Sequence, residues 1–294
     1  MRPMIRPGVR ILRRDLQTMQ IGQEWPGVVL LADSPALQAV LAAVDGFRDA
    51  TAVVLAASAG GRAPDDCAAA LDLLIDTGAV VDSATVTRPA GAAASWSALW
   101  LLAGPDATAA DVLAMRRACR VHVSGEGVIV DVLRQLLRQA QLTLTADPAD
   151  ATLLVLGDRR EPDRARSDDA MRSGLPHVWG YLRDLAGVVG PFVVPGSSAC
   201  LRCVDISQRE LDPSWPMLVA AAPTADPPED PVMATLVGAA VAQDVVAWAS
   251  GYEPRTWDAV VEISYGGSAI EQQARPPHPQ CGCGWTWAQD TMGA

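Results

Sequence analysis

With 294 residues, half of them hydrophobic, the chain is long enough for one large domain or two ordinary ones and can bury a substantial core. A formal charge of −11, with 23 arginines and no lysine scattered among 34 acids, excludes a nucleic-acid surface built on clustered basic side chains and favours a basic or extended peptide partner. The N-terminus carries Arg2, Arg6, Arg10, Arg13 and Arg14 but no apolar secretory core, so the expected compartment is the cytoplasm, where six cysteines are poor disulfide material.

Short strands are expected over 9–12, 18–22 and 28–32, separated by the turns Arg13-Arg14-Asp15 and Trp25-Pro26-Gly27. Asp33-Ser34-Pro35 then supplies a capping side chain and a proline at a first helical turn, and Leu37, Val40, Leu41 and Val44 recur at helical spacing up to Gly46. Further helices are expected over 51–59 and 64–77, the latter with Ala68, Leu71, Leu74 and Ile75 on one face. Three strands followed by three helices make a winged-helix-like module, placed at 1–85.

The progression from Val28 through Leu31, Ala32, Asp33-Ser34-Pro35 and Val44-Asp45-Gly46, closing on Leu71-Asp72-Leu73-Leu74-Ile75-Asp76-Thr77-Gly78, resembles the PqqD-like recognition element of peptide-modifying systems. That resemblance implies that a leader peptide adds a strand to the edge at Val28, Val29, Leu30, Leu31 and Ala32 and lays side chains beside Leu71, Leu74 and Ile75. An open strand edge offers unpaired N–H and C=O groups to an extended partner, which fits this use. The alternative reading of the inward-facing half of these residues is the module's own core.

A linker is expected over 86–118, loosest at 89–94, with an apolar piece over 96–102 and a helix near 109–117. From Arg120 the pattern alternates strand and helix. A strand ending in Gly125-Glu126-Gly127, a helix over 128–139, and strands at 142–144 and 151–156 open a Rossmann-like unit at 119–288. Gly125, Gly127 and Asp158 are the candidate nucleotide residues, with Asp147 as a ribose contact or a turn. Val130 stands where a third glycine would let helix and strand approach. The polar run 158–173, with Arg159, Arg160, Arg164 and Arg166, reads as a solvated loop. The apolar stretch 232–250 contains Gln243 and Asp244 and reads as a buried helix, not a membrane span.

The most specific text is Cys200-Leu201-Arg202-Cys203 with Cys281-Gly282-Cys283. A redox Cys-x-x-Cys stands alone, whereas a second distant pair completes a tetrahedral thiolate set about 2.3 Å from a zinc ion. Glycines at 282 and 284 let the chain fold around it. His278 is placed as a turn or supporting residue of the knot, and Cys67 and Cys119 as inert core thiols.

Together with Pro195-Gly196 and His278-Pro279, these cysteines make residues 119–288 resemble the ThiF/E1-like family, in its cyclodehydratase-like branch. The resemblance implies a structural zinc on Cys200, Cys203, Cys281 and Cys283. Adenylating members also carry a full glycine loop, an Asn-x-x-Arg-Gln stretch and a lysine, none of which is present here. The expected protein is an α/β chain without nucleic-acid or membrane partners and without ATP or magnesium. Its expected role is to bind a precursor peptide's leader and present it to a separate YcaO-type cyclodehydratase in azole/azoline RiPP biosynthesis. An active adenylyltransferase and a general peptide-binding scaffold are the alternatives, and homodimerisation through 232–250 is a further expectation.

Overall fold

Two units, Met1–Ala114 and Met115–Ala294, make up the computed structural model, which describes residues 1–23, 28–87, 96–104, 107–158, 160–221, 228–265 and 269–283. The first begins with β1 (Pro3–Ile5) and runs into an antiparallel meander of β2 (Ile11–Arg13), β3 (Thr18–Ile21) and β4 (Val29–Ala32). Helices α1 (Pro35–Ala43), α2 (Ala50–Ser58) and α3 (Pro64–Asp76) follow, and β5 (Val80–Asp82) returns to pair with β1. The turn read at 25–27 lies outside the described residues.

Helix starts follow from local chemistry. Ser34 Oγ accepts the Leu37 N–H at 3.1 Å, with Pro35 at the first helical position, and Asp49 Oδ1 accepts that of Ala52 at 2.8 Å. Leu37, Val40, Val53, Cys67, Leu71 and Leu74 fill the core between the helices and the meander's inner face, none more than 2 % exposed. The β1–β5 ribbon has no counterpart in the periodicity, since three-residue strands carry too little alternation to register.

The span read as a linker holds two helices, α4 (Trp96–Leu102) and α5 (Ala109–Ala118), with a small core around Leu99, Trp100, Val112 and Leu113; residues 89–94 lie outside the described part. Arg6 is buried and donates to the carbonyls of Ala103 (2.9 Å) and Gly104 (3.0 Å), satisfying acceptors that a helix end leaves open.

The second unit is built on β6 (Arg120–Ser124), α6 (Val128–Gln139), β7 (Thr143–Leu144), β8 (Leu153–Asp158), α7 (Arg164–Arg172), β9 (His177–Arg183) and β10 (Ala186–Val193). Helices α8 (Leu201–Leu211), α9 (Trp215–Ala221) and α10 (Pro231–Ala249) and the hairpin β11 (Ala259–Ile263) and β12 (Ile270–Ala274) complete it. One seven-stranded mixed sheet runs β12-β11-β10-β9-β8-β6-β7, parallel from β9 to β7 and antiparallel from β9 to β12. Helices α6 and α10 cover one face; Leu201 and Val204 of α8 pack with Leu156 and Trp179 on another patch.

Among the described residues α10 is the one helix long and apolar enough to cross a bilayer, and it is a core helix: Met233, Ala234, Val237, Val241 and Val245 are at most 4 % exposed. Its acid, Asp244, is buried and accepts from Thr256 N (3.2 Å) and Thr256 Oγ1 (2.5 Å), pinning the loop before β11. The polar run 158–173 departs from its reading as a loop. Asp163 caps α7 by accepting the Ala165 N–H, and only Ser167 and Ala170 of that helix are buried, so its sequence carries almost no apolar stripe.

His177 lies in β9 with Nε2 3.0 Å from Ser167 Oγ and Nδ1 3.0 Å from the Leu175 carbonyl. A carbonyl only accepts, so Nδ1 carries the proton and Nε2 receives the serine hydroxyl. Burial holds its pKa below the ordinary histidine value. The unfolded chain therefore takes up a proton first: the contribution is complete above about pH 6.5 and is lost as pH falls toward the depressed folded value. The urea midpoint is expected to drop between pH 7 and pH 5, and part of that drop is expected to vanish in His177→Gln.

Candidate functional sites

Four thiols converge at one end of the second unit. The Sγ atoms of Cys200, Cys203, Cys281 and Cys283 all lie within 4.8 Å of one another, with separations of 3.8 Å (200 to 203), 3.5 Å (200 to 281) and 3.3 Å (203 to 283). Sulfurs at 2.3 Å from a tetrahedral ion stand about 3.8 Å apart, so the set fits a metal and is too open for disulfides. Cys200 is the N-cap of α8 and Cys203 sits in its first turn, where the helix's positive end favours thiolate. Gly282 adopts φ +74°, which lets the second pair turn around one point. His278 donates its backbone N–H to Cys203 Sγ at 3.3 Å, accepts from Cys281 N, and sets its ring against Glu210 at 3.1 Å, the supporting role read for it. Gly284 lies outside the described residues.

Without a cation such a cluster holds little negative charge. Hydrogen bonds from Cys200, His278 N and Cys283 bring the Cys203 thiol down to about 4, while the hydrogen bond to Cys203, then burial and like charge, raise Cys200, and burial first, then Cys203, pushes Cys283 up to about 12. A divalent ion reverses that balance.

The crevice above the parallel strands' carboxyl ends lies between β6 and β8, where the strand order reverses. Gly125 closes β6 at φ +115°, and a Cβ there would lie 1.8 Å from the Gly157 carbonyl oxygen. Val130 does not prevent close packing, as its branched side chain suggested. The space comes from Gly157 of the neighbouring strand, where a Cβ would lie 2.8 Å from Val130 Cγ2. Gly125→Ala combines a disfavoured φ with a backbone clash and is expected to cost about 3 kcal/mol, read from denaturant unfolding.

Gly127 is the N-cap of α6 and offers no side chain, yet the helix end is filled. Glu229 Oε1 accepts the Val128 N–H at 3.3 Å, so a carboxylate of the chain itself stands where an anion such as phosphate would bind. Asp158, at the end of β8, accepts the Arg160 N–H at 3.2 Å, and Asp147 accepts that of Ala149 at 2.8 Å, making it a turn residue. The arginines near this crevice are engaged as well. Arg164 holds Asp205 through two bonds (2.9 and 3.1 Å) and Glu161 at 3.4 Å; Arg183 pairs with Glu161 at 2.5 Å and lies 4.9 Å over the Trp215 ring; Arg166 donates to Ser124 Oγ. Arg159 lies outside the described residues. This paired network was not legible beforehand, because Glu161, Arg183 and Asp205 meet only in the fold.

In the first unit, among the described residues, no further strand pairs with either outer edge of the meander. On β4, Asp33 N donates to Gln17 O, so by alternation Leu31 and Val29 bond to β3 while the backbone groups of Leu30 and Ala32 face the open edge. Val28 (41 % exposed), Leu30 (52 %) and Ala32 point outward, and no charge stands among them. Leu31, Leu71 and Leu74 are buried in the unit's core, Val29 and Ile75 partly so. The surface open to a partner is thus the outward half of the strand.

Neither a comparison with protein-family models nor one with curated proteins finds a match. Solved structures do match. E. coli MccB with MccA-N7isoASN superposes with a TM-score of 0.69 at 14 % identity, covering 97 % of this chain and 100 % of that one. E. coli MccB with ATP gives 0.68 at 14 % identity with the same coverage. The heterocyclase TruD gives 0.68 at 17 % identity, over 99 % of this chain and 44 % of TruD. In fold, therefore, the chain is similar along nearly its whole length to E. coli MccB and to part of the heterocyclase TruD.

Proposed function

We propose that this chain is a leader-peptide-binding, non-catalytic subunit that presents a precursor peptide to a separate YcaO-type cyclodehydratase. The observation that carries the reading is the β4 edge: an uncharged strand whose Leu30 and Ala32 backbone groups face outward beside exposed apolar side chains, the arrangement an added strand requires. In this reading the meander and three helices form a winged-helix, PqqD-like module, and the four cysteines hold a structural zinc with no open position for chemistry. The reading draws support from two likenesses of fold: the microcin C7 biosynthetic enzyme MccB has been solved in complex with N-formylated MccA, and TruD is a heterocyclase. The chain then acts by holding the substrate near a partner's active site, which raises its effective concentration there.

The adenylyltransferase alternative rests on the fold shared with ATP-bound MccB. Against it stand Glu229 at the α6 N-terminus and the pairing of Arg164 and Arg183 with carboxylates. Calorimetric titration of the metal-loaded protein with ATP and magnesium is expected to be flat. Saturable micromolar binding would make adenylation the leading function.

A further inference from the structure

The meander's other edge has different chemistry. On β2, Arg10 O accepts from Gly22 N and Arg14 N donates to Thr18 O, so by alternation the backbone groups of Ile11 and Arg13 face away from β3. The outward side chains on this strand are Arg10, Leu12 and Arg14, all exposed. Both arginines are bonded to neutral amides, Arg14 to Gln20 Oε1 at 3.0 Å and Arg10 to Gln23 Oε1 at 3.1 Å. Arg13 turns to the other side and pairs with Asp33 at 2.9 Å. Asp15, in the hairpin turn, accepts the Gln17 N–H at 2.8 Å. A shallow depression of about 500 Å³ is lined by Leu12, Arg13, Arg14, Gln20 and Gln23.

We propose that β2 is a second strand-addition edge, for an extended peptide segment in which two acidic residues flank an apolar one at alternate positions. Side chains of an added strand at i, i+2 and i+4 fall beside Arg10, Leu12 and Arg14, so the complement is acid, apolar, acid, with the acids about 13 Å apart. A second copy of this chain is the wrong occupant, because pairing two β2 edges sets arginine against arginine. The overall charge of −11 points to a basic partner; this edge selects the opposite sign locally. The inference is independent of the β4 reading, since it uses other residues and another edge.

The test is fluorescence anisotropy of the full chain with a labelled peptide Thr-Glu-Thr-Val-Thr-Glu-Thr, its glutamine analogue, and a version N-methylated at the two threonines flanking valine. The glutamate peptide is expected to bind about ten-fold more tightly than the glutamine analogue at low salt, with the gap closing as salt rises. Arg10→Gln and Arg14→Gln are each expected to weaken it about two- to five-fold. N-methylation is expected to abolish binding. Equal affinity for the two unmethylated peptides, indifference to both arginine variants, retained binding of the methylated peptide, or no binding at millimolar concentration would each overturn the proposal.

Discussion

Cys203→Ser is expected to strip the metal from the protein and to lower its melting temperature by more than any surface substitution. Structural zinc is worth about 10–16 kcal/mol in small peptides at neutral pH. Even about a third of that is a large part of the roughly 5–15 kcal/mol that holds a domain together. The loss is expected to be large here because Cys203 touches two other sulfurs and the His278 N–H, and because its thiolate is the favoured charge of the metal-free cluster. Metal uptake must deprotonate at least Cys200 and Cys283, whose pKa values are raised, so zinc titrations in buffers of different ionisation enthalpy are expected to show at least two protons released per ion. Affinity therefore falls as pH falls. A serine variant that kept one zinc per chain and the parent melting temperature would remove the cluster from its structural role.

Leu30→Pro is expected to fold normally and to lose leader-peptide binding by at least about ten-fold. Proline is tolerated on an edge strand when its missing N–H faces outward, and that of Leu30 faces the open edge, not β3. The substitution thus removes a docking donor without touching the ladder that holds β4. Leu31→Pro makes the contrast, since residue 31 bonds to β3 and its side chain is buried; that variant is expected to unfold the meander. The readout is anisotropy of a labelled candidate leader peptide that the parent chain binds, with circular dichroism as the check on folding. Unchanged leader affinity in a folded Leu30→Pro would refute strand addition at β4.

The cysteines were readable because their chemistry demands a spacing, and spacing survives in a sequence. Helices α1, α3 and α6 were readable because apolar residues recur at helical spacing in each, and α1 also because Ser34-Pro35 marks its start. Helix α7 was not, since a helix that buries two small residues has the composition of a loop. Two features of the crevice were invisible for another reason: Gly157 replaces a glycine missing from the fingerprint, and Glu229 arrives at Val128 from 101 positions away. Both are relations between segments, and a linear motif records only neighbours.

The thiol cluster also changes the connectivity of the chain. A bound metal would join Cys203 to Cys283 across 80 positions, and that stretch contains all of α10, the helix against which the sheet packs. With metal bound, the segment is a closed ring, and a loop of that length loses much of the freedom it would otherwise gain on unfolding. A protease cut anywhere inside the ring would leave two fragments still fastened at the thiols. They would separate under denaturing conditions only after a chelator had taken the ion, so a bound metal would act as a releasable clasp.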